Sequence, residues 1–214
     1  MHKFITIEGV EGCGKTTQIQ LLYAALQAKG IPTLTTREPG GCAIADKIRA
    51  ILLDPAHTHI VPTTELLLYA AARAQHVQEI IRPALEAGKV VICDRFTDAT
   101  IAYQGYARGL DLGTIETLAQ LACDGIKPAL TLWLDLPVAV GVERALRRNL
   151  SQDSSAEARF DQESIQFHSK VQLGYTKLQA ADPQRIKRID ADASPKQVAE
   201  RIIKVVTHHL ETME

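Results

Sequence analysis

The chain has 214 residues, 46% of them hydrophobic and 23% charged, with a formal net charge of −1. That length suits a single domain, 1–214, with a substantial core. The near-neutral balance argues against a polynucleotide partner, which calls for a clustered basic excess. No apolar run approaches the roughly 18 to 20 residues of a membrane span, and the start of the chain lacks a signal-peptide pattern, so a cytoplasmic location without a membrane partner is expected. Cys13, Cys42, Cys93 and Cys123 are scattered with no CxxC pair, which points to reduced thiols rather than disulfides or structural zinc. The seven histidines, among them His57, His59, His208 and His209, lack the spacing of a metal site.

Taken in chain order, short runs rich in β-branched residues recur at 4–8 (FITIE), 33–37 (TLTTR), 90–94 (VVICD), 130–135 (LTLWLD) and 185–190 (RIKRID). Segments of helical length and spacing separate them. Strands alternating with helices imply βαβ crossovers, hence an α/β fold of three layers with about five parallel strands. Ser194, Pro195 and Gln197 supply a capping serine, a first-turn proline and a capping box, and Val198, Ile202, Val205 and Val206 then form one face of a C-terminal helix. The polar stretch from Arg147 to Arg159 has no core-forming pattern and reads as a surface loop or a lid, within a segment of about 144–160. No internal repeat or linker divides the chain.

Residues 9–17, GVEGCGKTT, follow the first strand and open the first helix. Gly9, Gly14, Lys15 and Thr16 fit G-x-x-x-x-G-K-[ST], and the strand and helix on either side are the context this phosphate-binding loop requires. Glycines allow backbone N–H groups to approach a polyphosphate with no Cβ in the way. The helix N-terminus adds unpaired donors, Lys15 reaches toward the β and γ phosphates, and Thr16 is placed to ligate Mg²⁺. Residues Gly9, Val10, Glu11, Gly12, Cys13, Gly14, Lys15 and Thr16 are therefore the expected site for ATP.

Such a loop is shared by regulatory GTPases, motor ATPases and small-molecule kinases. The N-K-x-D and D-x-x-G signatures of a GTPase are absent from the sequence. VVICDR instead ends an apolar strand on Asp94, a Walker-B-type carboxylate for the metal or its waters, followed at once by Arg95. In a parallel sheet both fall at the carboxyl end of a strand, where ligands bind. A kinase for a nucleotide or nucleoside and a nucleotide-dependent switch both remain open on these residues alone.

GVEGCGKTT, TREPGG (36–41), TELLLYAAARAQH (64–76), CDRFTDATIAYQG (93–105), RFDQE (159–163) and RIDAD (188–192) together resemble the thymidylate kinases over nearly the whole chain. The resemblance implies a P-loop NTPase fold with a five-stranded parallel sheet, transfer of the γ-phosphoryl of ATP to dTMP with Mg²⁺ in dTTP synthesis, and a homodimer. It also implies roles for particular residues. Glu11 approaches the dTMP sugar, Arg95 grips its phosphate with Arg49, and Tyr69 and Arg73 stack on and hydrogen-bond the base. Tyr69 stands where phenylalanine is usual, adding a hydroxyl that needs a partner. Thr100, Tyr103 and Gln104 lie along the base and deoxyribose, with Tyr103 occupying the space of a ribose 2′-OH.

Within the P-loop the stretch Glu11-Gly12-Cys13 carries no basic residue. Positive charge for the transferring group must then come from elsewhere. Arg147, Arg148 and Arg159 are the candidates, matching the subgroup whose lid carries the arginines, and Arg148 and Arg159 are the two assigned a catalytic role. Asn149 after Arg148 departs from the usual Arg-Gly turn, so which arginine reaches the phosphates stays open. The expected chemistry is in-line transfer without a covalent intermediate, supported by Lys15, Mg²⁺ and a lid arginine, with Arg95 orienting the acceptor and no general base.

Overall fold

In the computed structural model, which describes residues 3–151 and 159–212, five strands form one parallel sheet. They are β1 (Phe4–Glu8), β2 (Thr33–Arg37), β3 (Val90–Asp94), β4 (Leu130–Asp135) and β5 (Ile186–Asp190), in the order β2-β3-β1-β4-β5. Each stretch expected to be a strand is one, and β5 alone starts a residue later. Arg185 just before it turns aside instead. Its guanidinium binds both oxygens of buried Asp98 at 2.7 and 3.0 Å, and Asp182 at 2.9 Å.

Alternation along the strands sorts side chains onto two faces. Ile5, Ile7, Val90 and Ile92 enter one buried cluster with Leu22 and Leu26 of α1 (Lys15–Ala28) and Val198, Ile202 and Val206 of α9 (Pro195–Glu211). Phe4, Val91 and Cys93 enter the other, with Val77, Ile81, Phe96, Cys123 and Ile126. Both faces are covered, which is why β1 and β4 read as nearly unbroken apolar runs. The capping box expected at Ser194 and Gln197 opens α9.

Between β2 and β3 the chain forms α2 (Ala43–Leu53), α3 (Pro62–His76), a π-helical turn Val77–Ile81 and α4 (Arg82–Glu86). After β3 come α5 (Thr97–Thr100), a π-helical segment Ile101–Ala107 and α6 (Leu112–Cys123). Helix α7 (Val138–Ser151) follows β4 and α8 (Ile165–Ala181) precedes β5. The polar stretch read as a loop from Arg147 is thus helical to Ser151, with Arg147 Nη2 paired to Glu143 Oε1 one turn back at 2.6 Å. Among the described residues, no helix is long and apolar enough to cross a membrane. The four cysteines are free and buried.

The ends of β1 and β3 set the site. Ile7 pairs with Asp94 across the sheet, so the P-loop after β1 and the Asp94-Arg95 turn after β3 leave the same edge side by side.

Candidate active site

The P-loop bends through three glycines in the left-handed half of the map, Gly9 at φ 144°, Gly12 at φ 70° and Gly14 at φ 93°. Gly14 is the N-cap of α1 with no side-chain cap, which leaves the first-turn N–H groups of that helix for a ligand. Lys15 lies back across its own loop, with Nζ 3.3 Å from both the Gly9 and Val10 carbonyls and 3.8 Å from Cys13 Sγ. Val10 and Cys13 are packed into the core, and burial pushes the Cys13 thiol up. A cleft of about 590 Å³ opens over this loop, lined by Gly12, Gly14, Lys15, Thr16, Asp94 and Arg144, among others. Asp94 Oδ1 is buried there without a hydrogen-bond partner.

A second cavity of about 140 Å³ lies beside the first, and every residue expected to hold the acceptor lines it: Glu11, Arg49, Tyr69, Arg73, Arg95, Thr100, Tyr103 and Gln104. Glu11, Glu38, Arg49 and Arg95 line both, forming a shared wall.

That wall is held by a network of buried charges. Arg95 has φ 67°, a strained conformation for a non-glycine residue that costs about 1 to 3 kcal/mol and is characteristic of functional sites. Its Nη2 donates to Glu11 at 2.8 Å and its guanidinium lies 4.7 Å from the Tyr103 ring centre. Tyr103 donates its hydroxyl to the same carboxylate at 2.7 Å. Burial by itself would raise the Glu11 carboxyl, but the charges of Arg95, His168 and Lys15 outweigh it and hold the group well below the usual range. His168 Nδ1 is 3.1 Å from Glu11 Oε2, although the alignment is too poor for a hydrogen bond.

Glu8, at the end of β1, takes the N–H of Phe96 at 2.7 Å and the hydroxyl of Tyr175 at 2.8 Å, pinning the backbone just after Arg95. Full burial and then the charge of Asp98 push its carboxyl up to about 8, against the opposing pull of Arg95.

Arg73 is almost wholly buried. Its Nε donates to Glu38 at 2.7 Å, and Nη2 donates to the Phe96 carbonyl and to Thr100 Oγ1 at 3.1 and 3.0 Å. Arg73 also lines the acceptor cavity. Gln104 is fixed by Glu65 at 2.8 Å. Tyr69 is half-buried with its ring 6.5 Å from that of Phe160, and burial raises its phenol. Among the described residues its hydroxyl has no hydrogen-bond partner, so the requirement raised by the tyrosine is not met by any of them.

Arg159, expected to take a catalytic role, does not line the phosphate cleft in this structure. It reaches the Leu52 carbonyl, pairs with Glu65 Oε2 at 2.7 Å and stacks on Phe160 at 4.5 Å. The buried Glu65 carboxylate demands cationic partners and takes Arg159 together with Arg108. The side chain of Arg148 lies outside the described residues, and Arg147 is paired with Glu143 on the surface. The lid-side arginine in the cleft is Arg144, in α7.

Sequence reasoning missed several residues. Arg144 falls within the segment assigned to the lid, yet it sits in an amphipathic helix where an exposed arginine is unremarkable. Glu38 was visible in REPGG but carried no stated role. Phe160 and Asp161 line the acceptor cavity from RFDQE. His168 and Tyr175 come from α8 and carry no local signal at all.

A parallel sheet whose first strand opens a P-loop, with a second polar cavity sharing a wall of arginines, defines a P-loop phosphotransferase of the small-molecule kinase class. The thymidylate kinase family model matches residues 7–202. The chain is 58% identical to the thymidylate kinase of Geotalea uraniireducens strain Rf4 over 98% of this chain and 99% of that protein. It is 55% identical to that of Trichlorobacter lovleyi over 97% and 98%. The crystal structure of thymidylate kinase from Ehrlichia chaffeensis superposes with a TM-score of 0.75 at 31% identity, covering 95% of this chain and 97% of that one. The chain belongs to the thymidylate kinase family, enzymes that phosphorylate dTMP to dTDP with ATP as donor.

Proposed function

We propose that ATP phosphates occupy the cleft over the P-loop, dTMP occupies the smaller cavity, and the phosphoryl group passes directly between them across the wall of Glu11, Arg49 and Arg95. The observation that carries this reading is that wall, since four residues line both cavities and two of them are arginines. An acceptor phosphate held by Arg95 and Arg49 would face Lys15 with its charge already neutralised in part. An ionised phosphate oxygen is itself the nucleophile, so no general base is required. Lys15 leaves its three loop contacts for the β and γ oxygens, and Arg144 supplies the charge that Glu11-Gly12-Cys13 lacks.

Tyr69 covers one face of the thymine and Arg73 donates to its edge. Thr100 and Gln104 flank base and sugar, Glu11 receives the sugar hydroxyl, and Tyr103, locked by Glu11, fills the place of a ribose 2′-OH. Thr16 and Asp94 would hold Mg²⁺, a hydroxyl and a carboxylate being oxygen donors suited to that ion. The partnerless Asp94 Oδ1 supports that assignment. When bound, the ion neutralises charge on the β and γ oxygens.

A homodimer is part of the same reading. Ile44 and Ile51 of α2, Leu67 of α3 and Leu121 of α6 are 44 to 79% exposed on neighbouring helices, an apolar row that a second copy would cover. Sedimentation as a monomer at micromolar concentration would remove this part. The cytoplasmic location expected from the sequence is retained, supported by four unpaired thiols.

The decisive assay follows dTDP directly while ATP consumption is measured with and without dTMP, then with dUMP, dCMP, dGMP and thymidine as acceptors. Stoichiometric dTDP with dTMP preferred is expected. Acceptor-independent ATP hydrolysis would overturn the assignment of the smaller cavity.

A further inference from the structure

Arg144 reaches the cleft from α7, so something must fix how that helix stands over the P-loop. Gly12 and Gly141 meet backbone to backbone. A Cβ added at Gly12 would lie 2.0 Å from the Gly141 carbonyl oxygen, and one added at Gly141 would lie 2.6 Å from the Glu11 carbonyl oxygen and 3.4 Å from Val10 Cγ2. Each glycine leaves the room that the other's backbone fills. Gly12 is also at φ 70°, so a side chain there is strained as well as blocked.

We propose that Gly12 and Gly141 form a bearing between the P-loop and α7 that aims Arg144 into the phosphate cleft. Arg144 follows Gly141 by three residues, one turn on and on the same side of the helix. The loop side of the contact cannot yield, because the Glu11 side chain is anchored by Arg95 and Tyr103 and Val10 is packed in the core. A methyl group at position 141 therefore displaces the helix rather than the loop. The same contact bars a basic side chain from position 12, where it would meet the Gly141 carbonyl. Gly141 is on this view a positioning residue that touches neither nucleotide.

The inference rests on the assignment of Arg144 made above, and a double-mutant cycle separates the two. Arg144→Ala should lower kcat about tenfold to a hundredfold. Gly141→Ala should lower kcat by a similar factor while KM for dTMP stays within about twofold, and should cost nothing further in the Arg144→Ala background. Normal kcat in Arg144→Ala removes the arginine and the bearing together. Reduced kcat there with normal kcat in Gly141→Ala removes the bearing alone, as does full additivity of the two losses. If Gly141→Ala does not fold, hydrogen exchange on the unmodified protein decides. ADP should slow the amides of residues 141–144 along with those of Lys15 and Thr16, and protection confined to the P-loop would overturn the bearing.

Discussion

The two halves of the site are built by different means. The floor of the proposed donor cleft is one contiguous stretch, where Gly12, Gly14 and the uncapped start of α1 offer backbone N–H groups, while Asp94 and Arg144 reach it from elsewhere in the chain. The acceptor cavity is assembled from β2-α2, α3, the turn after β3, the π-helical segment and the start of the chain after 159, and it works through side chains. Arg73, Glu38 and Gln104 are each buried and each pinned by partners tens of residues away. Backbone donors tolerate any triphosphate, whereas a cavity walled by pinned side chains rejects a ligand that does not fit, because polar groups left unpaired there are costly. General donor chemistry and acceptor selectivity are thus placed in different kinds of structure.

The largest effect expected is on the donor side. Lys15→Ala removes a side chain proposed to follow charge onto the transferring group, and kcat should fall by about a hundredfold to a thousandfold with the unfolding midpoint hardly changed. Lys15 makes only long contacts to its own loop, so its loss leaves no buried group unpaired. Near-normal turnover in this variant would erase the contrast between the halves. Arg159→Ala should behave in the opposite way, with kcat at saturating dTMP largely kept and stability reduced by about 1 to 3 kcal/mol, since Glu65 loses a buried partner. A collapse of kcat without loss of stability would return Arg159 to the chemistry.

The same contrast decides what could be read in the sequence. Every strand, the P-loop and the capping box of α9 were legible because each depends on local periodicity or on residues a few positions apart. The expectations for Lys15 and Thr16 came from the P-loop motif and those for Asp94 and Arg95 from a strand end, whereas those for the acceptor side came from resemblance rather than from any spacing. Arg159 sits elsewhere than its sequence neighbourhood suggests, for a physical reason. Its sequence neighbourhood is polar and lid-like, but buried Glu65, almost a hundred residues earlier, captures it. Arg144 was passed over because the helix continues through Arg147 into Ser151, so the cationic group belongs to a helix face and not to a loop. His168 and Tyr175 reach Glu11 and Glu8 from α8, more than 150 residues away in sequence, and no local pattern encodes that.

The buried network behind the wall also carries a pH signature. Glu8 holds a folded-state value near 8 against 4.5 for an ordinary glutamate, raised by burial and then by Asp98. A raised carboxyl means that the folded chain binds the proton more tightly than the unfolded one. The stabilisation is complete below about 4.5 and drains away as pH climbs through about 8, at up to about 1.4 kcal/mol per pH unit. Glu8→Gln keeps an acceptor for the Phe96 N–H and a polar partner for Tyr175 without ionising. Urea midpoints measured from pH 5 to 9 should decline for the native chain and stay flatter for the variant. Parallel curves would show that Glu8 does not titrate in this window.

The smallest effect expected lies at Tyr69, and it tests how far the acceptor side depends on pinning. The ring faces the cavity and leans on Phe160, but the hydroxyl has no partner among the described residues. Removing an unpaired polar group is close to neutral, because no donor or acceptor is stranded by its loss. Tyr69→Phe should therefore leave KM for dTMP within about twofold, or about 0.4 kcal/mol. Tyr69→Ala removes the ring as well and should raise KM about tenfold, a loss within the range found for a base stacked on an aromatic face. The ratio of the two changes isolates the π-face from the hydroxyl. If the phenylalanine variant binds dTMP as poorly as the alanine one, the hydroxyl is held by the nucleotide itself, and even a side chain of the acceptor cavity with no hydrogen-bond partner among the described residues is fixed once substrate arrives.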